Sequence, residues 1–255
     1  MKLSRDNRFH DFFVDNKYNI LKNYLYNYLL RKYNVDKALR NEKRSMILEV
    51  GSGISPIVMP DSDTVYSDLS FLALQTLKRN LGKGMYVVAD GMMLPFRSDI
   101  FTQIIASEVL EHLEDDRKAL EEIARVIIPS GVFVITFPHR QFYFTYDDRF
   151  VKHFRRYELT EMENSLRKAG LQPVLVRKVL GPLEKVTMCT AIFIFSMVQI
   201  FHKNDEGNVH SSKQLGVFTF IFKWLNRLYA SFAWLDASVM PRALSSVLLI
   251  KAVKK

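Results

Sequence analysis

The stretch MILEVGSGISP, Met46 to Pro56, runs an apolar segment of strand length straight into a glycine turn and then a proline. Glycines let a backbone approach a ligand closely, and N–H groups exposed at such a turn favour polar or anionic atoms. A dinucleotide fingerprint needs G-x-G-x-x-G opening a helix. Gly51 and Gly53 supply two of its glycines, and Pro56 occupies the place of the third. Only residues 54–63 separate Gly53 from the next strand candidate at Thr64. Pro56 suits a first helical turn, where its missing N–H costs little, but Pro60 follows closely, so at most one turn fits. The wall on that side is therefore expected to be thin and covered by another element. The candidate is an aromatic amphipathic helix within residues 9–33, with Ile20, Leu21, Tyr24, Leu25, Tyr28 and Leu29 at helical spacing.

Outward from the turn, short apolar strands alternate with helical segments. Strands are expected at 46–50, 64–68, 85–89, 101–106 and 131–137, with helices near 71–81, 115–127 and 160–169. Near-continuous apolar strands separated by helices imply a parallel sheet covered on both faces. Two further strands are expected at 172–179 and 245–253, and the long segment between them does not read as a loop. Val186–Phe201 contains no charge, but as a helix it would be about 24 Å long, short of the ~30 Å hydrocarbon core. LGVFTFIFKWLNRLYASFAWL, residues 215–235, sets large aromatics among Lys223 and Arg227. The pair reads as a helical hairpin inserted between the last two strands. It is either a cap over the sheet or an interfacial patch that dips into lipid or covers a greasy substrate.

Composition narrows the class. Apolar residues at 48% and charged residues at 25% describe a globular chain rather than a disordered one. The single Cys189 leaves no disulfide framework or multi-cysteine zinc site and fits a reducing cytosol. The N-terminal MKLSRDNRFHDFF lacks a signal-peptide core, so no export is expected and the location is read as cytoplasmic. Of the net +9, residues 1–45 hold 11 Lys/Arg against 5 Asp/Glu and residues 181–255 hold 9 against 4, while the centre is slightly acidic. Basic flanks suggest an anionic neighbour, either the inner face of a membrane or nucleic acid, or simply a well-solvated surface.

Asp68 ends the second strand nineteen residues after Glu49, and a carboxylate there can take both ribose hydroxyls. The turn thus suggests an adenosine-type ligand more than a pyrophosphate. Asp90 ends the third strand in VVADGMMLPF, where it can hold an adenine amino group while Met92 packs on the ring; SEVLEHL follows the fourth. Taken together, these segments resemble the class I S-adenosylmethionine-dependent methyltransferases, particularly the small-molecule group with E-x-G-x-G and E-x-L-E-H. The quinone-pathway O-methyltransferases are similar. The resemblance covers about residues 46–180 and the closing strand. It implies a Rossmann-like α/β fold whose seven-stranded sheet is mostly parallel with an antiparallel last strand. By domain, 1–45 becomes an N-terminal helical cover, 46–180 the donor-binding core, 181–243 an apolar helical insert and 244–255 the last strand. The same resemblance implies S-adenosyl-L-methionine as the donor. Glu49, Gly51, Ser52 and Gly53 would surround its methionine end, with Glu49 near the ammonium. Asp68 would bind the ribose with Leu69 beside the adenine, Asp90, Gly91 and Met92 would hold the adenine, and Ser107 and Glu108 would lie under the methionine part. The departure from the group's pattern is Ser55 where a third glycine is usual, with no room for the full helix that normally follows.

Methyl transfer is an in-line displacement, and an oxygen or acidic-carbon nucleophile also needs a base. Candidates on the side where substrate approaches are His112, His139, His153 and Tyr157, with Arg155 and Arg156 able to hold an anionic group. His153 to Tyr157 precede a helix that Thr160 and Glu163 would cap. On a helix, Glu108, Glu111 and His112 share one face and could bind a divalent metal. The expectation is that they do not, because such spacings arise readily by chance. The reading is a methyltransferase acting, by O-methylation, on a small or lipid-linked hydrophobic acceptor, peripheral to a membrane. Alternatives are a soluble small-metabolite methyltransferase with the insert as a lid, an RNA methyltransferase, or a non-catalytic scaffold. SEVL in place of an Asn/Asp-Pro-Pro-aromatic motif and the lack of an RNA-binding module weigh against specific nucleic-acid binding.

Overall fold

The computed structural model describes residues 21–43, 45–190 and 212–255. The part of the expected first helix before residue 21 and most of the Val186–Phe201 patch lie outside the described residues.

Ile47, Leu48 and Val50 are all buried, as a strand covered on both faces requires. They form β1 (Ile47–Val50), which pairs in parallel with β2 (Thr64–Asp68) on one side and β4 (Phe101–Ser107) on the other. The full sheet runs β3-β2-β1-β4-β5-β7-β6, adding β3 (Met85–Val88), β5 (Ile127–Pro138), β6 (Leu171–Leu180) and β7 (Val247–Lys254). Only β7 runs against the direction of the other strands, antiparallel to both β5 and β6. The order reverses between β1 and β4, which makes the carboxyl ends of those strands the place for a ligand.

Period-two alternation divides the core. Leu48, Ile104, Phe133 and Ile135 face one cluster with Leu120 and Ile123 of α3 (Asp116–Val126) and Leu166 of α5 (Leu159–Lys168). Ile47, Ile105, Val132, Val134 and Leu249 face the other, with Val35 and Leu39 of α1 (Tyr26–Leu39). Helix α2 (Phe71–Leu81) begins where the Ser70 hydroxyl accepts the Ala73 N–H, and it ends at left-handed Gly82.

Three local expectations need correction, and a fourth holds. The cover is not one continuous helix: residues 21–22 are helical, residues 23–24 turn, and α1 starts at Tyr26 and runs on past residue 33 to Leu39. Residues 51–63 contain no helix, as two prolines in a short connection dictate. SEVLEHL is not a helical face: after Glu108, at φ +56°, only Leu110–His112 forms a 3-10 turn. Helix α5 is capped by Glu158 and Glu161 rather than Thr160 and Glu163, because Tyr157 is held extended by its bridge to His139 and the chain turns at once.

Of the insert, a helix α6 begins at residue 182 and is described to residue 190; α7 (Ser212–Val239) follows. Ala233 and Ala237 of α7 are buried, and Asn226 accepts the Tyr26 N–H at 3.2 Å. The opposite side leaves Phe220, Trp224, Leu228, Phe232, Leu235 and Val239 exposed in one stripe. Among the described residues, no helix is long and apolar enough to cross a membrane.

Candidate functional site

A cavity of about 370 Å³ opens at the carboxyl ends of β1, β2 and β4. Gly51 and Gly53 turn the chain there with φ of +67° and +54°. A Cβ on Gly51 would lie 2.6 Å from Val109 Cγ2, so this position has room only for glycine. The Ser52 N–H donates to the Ser67 carbonyl at 3.1 Å, and the Gly53 N–H donates to Asp68 Oδ2 at 2.8 Å. The Ser70 N–H takes the other oxygen of Asp68 at 2.9 Å. Burial pushes the Asp68 carboxyl up, and these N–H groups counter it.

Glu49 also lines the cavity, but both its oxygens accept backbone N–H groups, from Ile57 at 2.7 Å and Val58 at 2.9 Å. It closes the helix-free loop rather than presenting a free carboxylate to an ammonium. Its burial raises the carboxyl pKa to about 7. Helix α1 covers the same loop: the Tyr28 hydroxyl donates to the Pro56 carbonyl at 2.7 Å and Lys32 Nζ to the Ile57 carbonyl at 2.6 Å.

Ser52, Leu69, Asp90, Gly91, Ser107 and Glu108 line the cavity with the glycines. Met92 does not. Asp90 Oδ1 accepts the Met92 N–H at 2.9 Å, and the Met92 side chain is buried in the core cluster behind the wall. Glu108 occupies a left-handed conformation unusual for a non-glycine, of the kind found where a site holds a side chain in place.

At the far end lie His112 and His153, their rings edge to face with centroids 4.6 Å apart. His153 Nδ1 is 2.8 Å from Oδ1 of Asp148, on the short helix α4 (Tyr146–Phe150). An ionised carboxylate only accepts, so Nδ1 carries the proton and Nε2 is the basic nitrogen. Burial opposes the charge on Asp148, but hydrogen bonds from His153 and from Arg156 Nε (2.8 Å) hold its pKa well below the usual range. Lys185 Nζ, on α6, bonds Asp147 at 2.6 Å and Asp148 at 3.2 Å, tying the insert to this end. His112 is kept neutral by burial and by His153, its pKa lowered to about 3. Glu111 is fully buried and neither of its oxygens accepts a hydrogen bond among the described residues. Burial first, and Glu108 second, push its pKa well up. Its Oε1 is 3.8 Å from His153 Nε2.

Two expected bases stand apart. His139 is buried outside the cavity lining, with Nδ1 2.8 Å from the Ser245 carbonyl. The Tyr157 hydroxyl donates to Asp116 at 2.7 Å, and burial pushes its pKa far up, so it serves as packing rather than as a base. Their mutual bridge ties both to the end of β5, an interior strand of the sheet. The arginine pair is not free either: Arg156 serves Asp148, and Arg155 bonds Asp116 and two carbonyls. Among the described residues, the groups close enough to share a metal are Glu111, His112 and His153, with ligand atoms within 4.8 Å, and not the expected set with Glu108. Such N/O donors suit a divalent metal or proton transfer equally. Sequence reasoning missed Asp148, Glu184, Lys22 and Arg31 in the cavity wall. A carboxylate five residues before a candidate histidine was the available signal for Asp148; the cations needed the tertiary fold.

Residues 48–135 match the family model described as a methyltransferase domain. The chain is 31% identical over 108 residues to the ubiquinone/menaquinone biosynthesis C-methyltransferase UbiE of Coxiella burnetii, covering 38% of this chain and 43% of that protein. The chain thus spans less than half the length of the curated relatives it matches. Among solved structures, a chain from the complex of the Haloferax volcanii Trm112 methyltransferase activator superimposes with a TM-score of 0.60 at 14% identity, covering 98% of this chain and 97% of that one. Haemonchus contortus phosphoethanolamine N-methyltransferase 2, solved with S-adenosyl-L-methionine, gives 0.55 at 16% identity, covering 87% and 52%. At these identities the structural likeness concerns the fold.

Proposed function

We propose, from the premise that residues 48–135 form a methyltransferase domain, that this protein transfers a methyl group from S-adenosylmethionine to a hydrophobic acceptor, small or lipid-linked, at a membrane surface. The observation that carries the reading is the convergence of the glycine turn, Asp68 and Asp90 on one cavity. Seven carboxylate residues line that cavity against three Lys/Arg, which suits a ligand bearing a sulfonium and an ammonium. The residues fit the donor: Asp68 for the ribose, Leu69, Asp90 and Gly91 for the adenine, and the Gly51–Gly53 turn with Ser107 and Glu108 for the amino-acid end. The donor, when bound, supplies an electrophilic methyl on sulfur.

The far end of the cavity serves the acceptor. His153, held by Asp148, takes the acceptor's proton at Nε2, and the neutral, buried Glu111 beside it keeps that side free of negative charge. An oxygen acceptor is the first reading. The same base would serve an acidic carbon, which the kinship to a named C-methyltransferase favours as a second. The exposed stripe on α7, with Lys223 and Arg227 on the same helix, supports action at an anionic membrane surface. Glu184 and Met188 of the insert line the cavity, which supports the insert also acting as its wall.

The test is transfer of labelled methyl from S-adenosylmethionine into membrane-lipid and aqueous extracts. Label in the lipid phase, lost in His153→Gln, is expected. Label only in aqueous products would leave the enzyme and remove the lipid acceptor.

A further inference from the structure

A second hollow, an open groove of about 380 Å³, lies where α1, α6 and α7 meet. Its lining comes from Tyr26 of α1, Thr187 of α6, and Leu225, Leu228, Tyr229 and Phe232 of α7. Most polar groups there are paired within the fold. The Thr187 hydroxyl donates to the Leu183 carbonyl at 2.9 Å and accepts from the Tyr229 hydroxyl. Asn226, also in the lining, accepts the Tyr26 N–H and donates to the Phe222 carbonyl at 3.1 Å. Leu225, Leu228 and Phe232 are each about half exposed. Leu228 and Phe232 belong to the apolar stripe of α7 as well, so large apolar side chains are gathered here rather than scattered.

On its other side the groove adjoins the cavity. Tyr26 stands between Leu25 and Asn27, and Thr187 precedes Met188; Leu25, Asn27 and Met188 all line the cavity. The two hollows therefore share α1 and α6 as their partition. The ring of Tyr26 meets that of Tyr229 edge to face with centroids 4.8 Å apart, and its buried hydroxyl has no hydrogen-bond partner among the described residues. Burial, then the charges of Glu184, Tyr229 and Asp147, push the Tyr26 pKa up, which puts the hydroxyl near the cavity wall that Glu184 and Asp147 help to form. From groove to cavity the surroundings thus turn from apolar to polar at Tyr26, as a lipid does where its chain meets its head. We infer that the groove holds the hydrocarbon chain of the acceptor while the head group reacts in the cavity. This rests on the lipid-linked acceptor proposed above. Seven residues line the groove, far fewer than the roughly 20–30 a side of a stable protein interface, so a single chain suits it and a protein partner does not. A chain strands no polar group of Thr187, Tyr229 or Asn226, which are already paired, and it takes the half-exposed apolar side chains out of water.

The test measures binding of 1-octanol, 1-decanol and 1-dodecanol to the full chain by calorimetry. Wild type is compared with two groove-filling variants, Thr187→Phe and Leu225→Trp, and with Leu235→Ser combined with Val239→Ser, which alters the stripe outside the groove. Each is checked for an unchanged thermal melt and unchanged S-adenosylhomocysteine affinity. The groove predicts affinity that rises about threefold per added methylene. It predicts that each filling variant weakens dodecanol about tenfold or more, and that the stripe variant does not. In transfer of labelled methyl into lipid extract, the filling variants should raise KM with kcat unchanged. An unchanged KM would overturn the inference, as would no binding of dodecanol or an affinity indifferent to chain length. Equal weakening in the stripe variant would overturn it too, by putting the chain on the open face of α7. If dodecanol binds as predicted but label never enters lipid, the lipid acceptor itself falls, and the part of the groove in holding it falls with it.

Discussion

His153 gains its orientation from a carboxylate fixed on all sides, since Asp148 also meets Arg156, Lys185 and the Thr145 N–H. His153→Gln is expected to lower kcat by about 10²–10⁴-fold with S-adenosylhomocysteine affinity unchanged; an unchanged kcat would assign the base elsewhere. Asp148→Asn should cost about 3 kcal/mol or more in stability, because it strips a buried ion network of its anion. Glu49 gives a pH signature. Its carboxyl pKa is about 7 in the fold against an ordinary 4.5, so the folded state binds the proton more tightly. The stability this lends is complete below about pH 4.5 and is lost as pH rises through about 7, at most about 3 kcal/mol. Glu49→Gln should flatten the melting temperature between those pH values relative to wild type. Residue types were legible where a motif dictates them: Asp68, Asp90 and the glycines are where the spacing put them. Partners were not. Nothing in a linear string says that Glu49 would turn inward to cap a loop, or that Tyr157 would find Asp116.

Among the elements, α7 carries the proposed contact with lipid. Its stripe from Phe220 to Val239 recurs every three or four residues, and its buried face is built of small residues such as Ala233 and Ala237. Trp224→Glu with Phe232→Glu is expected to abolish flotation with anionic vesicles while donor binding is unchanged. Flotation that survives both changes would remove α7 as the contact. Of the segment read as a helical hairpin, the described residues form α6 and the long α7, and α6 enters the cavity wall through Glu184 and Met188. The sequence could not separate wall from lipid face, because both roles demand apolar surface. The loop after β1 was more readable. Pro56 and Pro60 leave no helix, and the cover that this requires arrives through Tyr28 and Lys32.

Across the whole molecule, alternation of short apolar strands with helices was enough to specify the sheet, because strands buried on both faces must be crossed by helices. The antiparallel direction of β7 came from resemblance rather than from periodicity, since an antiparallel strand has the same period as a parallel one, and its place between β5 and β6 was not foreseen. Charge is arranged in the same sense: basic flanks surround a slightly acidic core whose cavity is lined mainly by carboxylates. That polarity favours a cationic donor inside and an anionic surface outside. The central claim is that the cavity binds the methyl donor through Asp68 and Asp90. Equilibrium dialysis of the full chain against labelled S-adenosylmethionine tests it directly. One molecule bound per chain, with binding lost in Asp68→Ala while the fold persists, is the predicted result; a folded wild-type chain that retains no donor at millimolar concentration would contradict it.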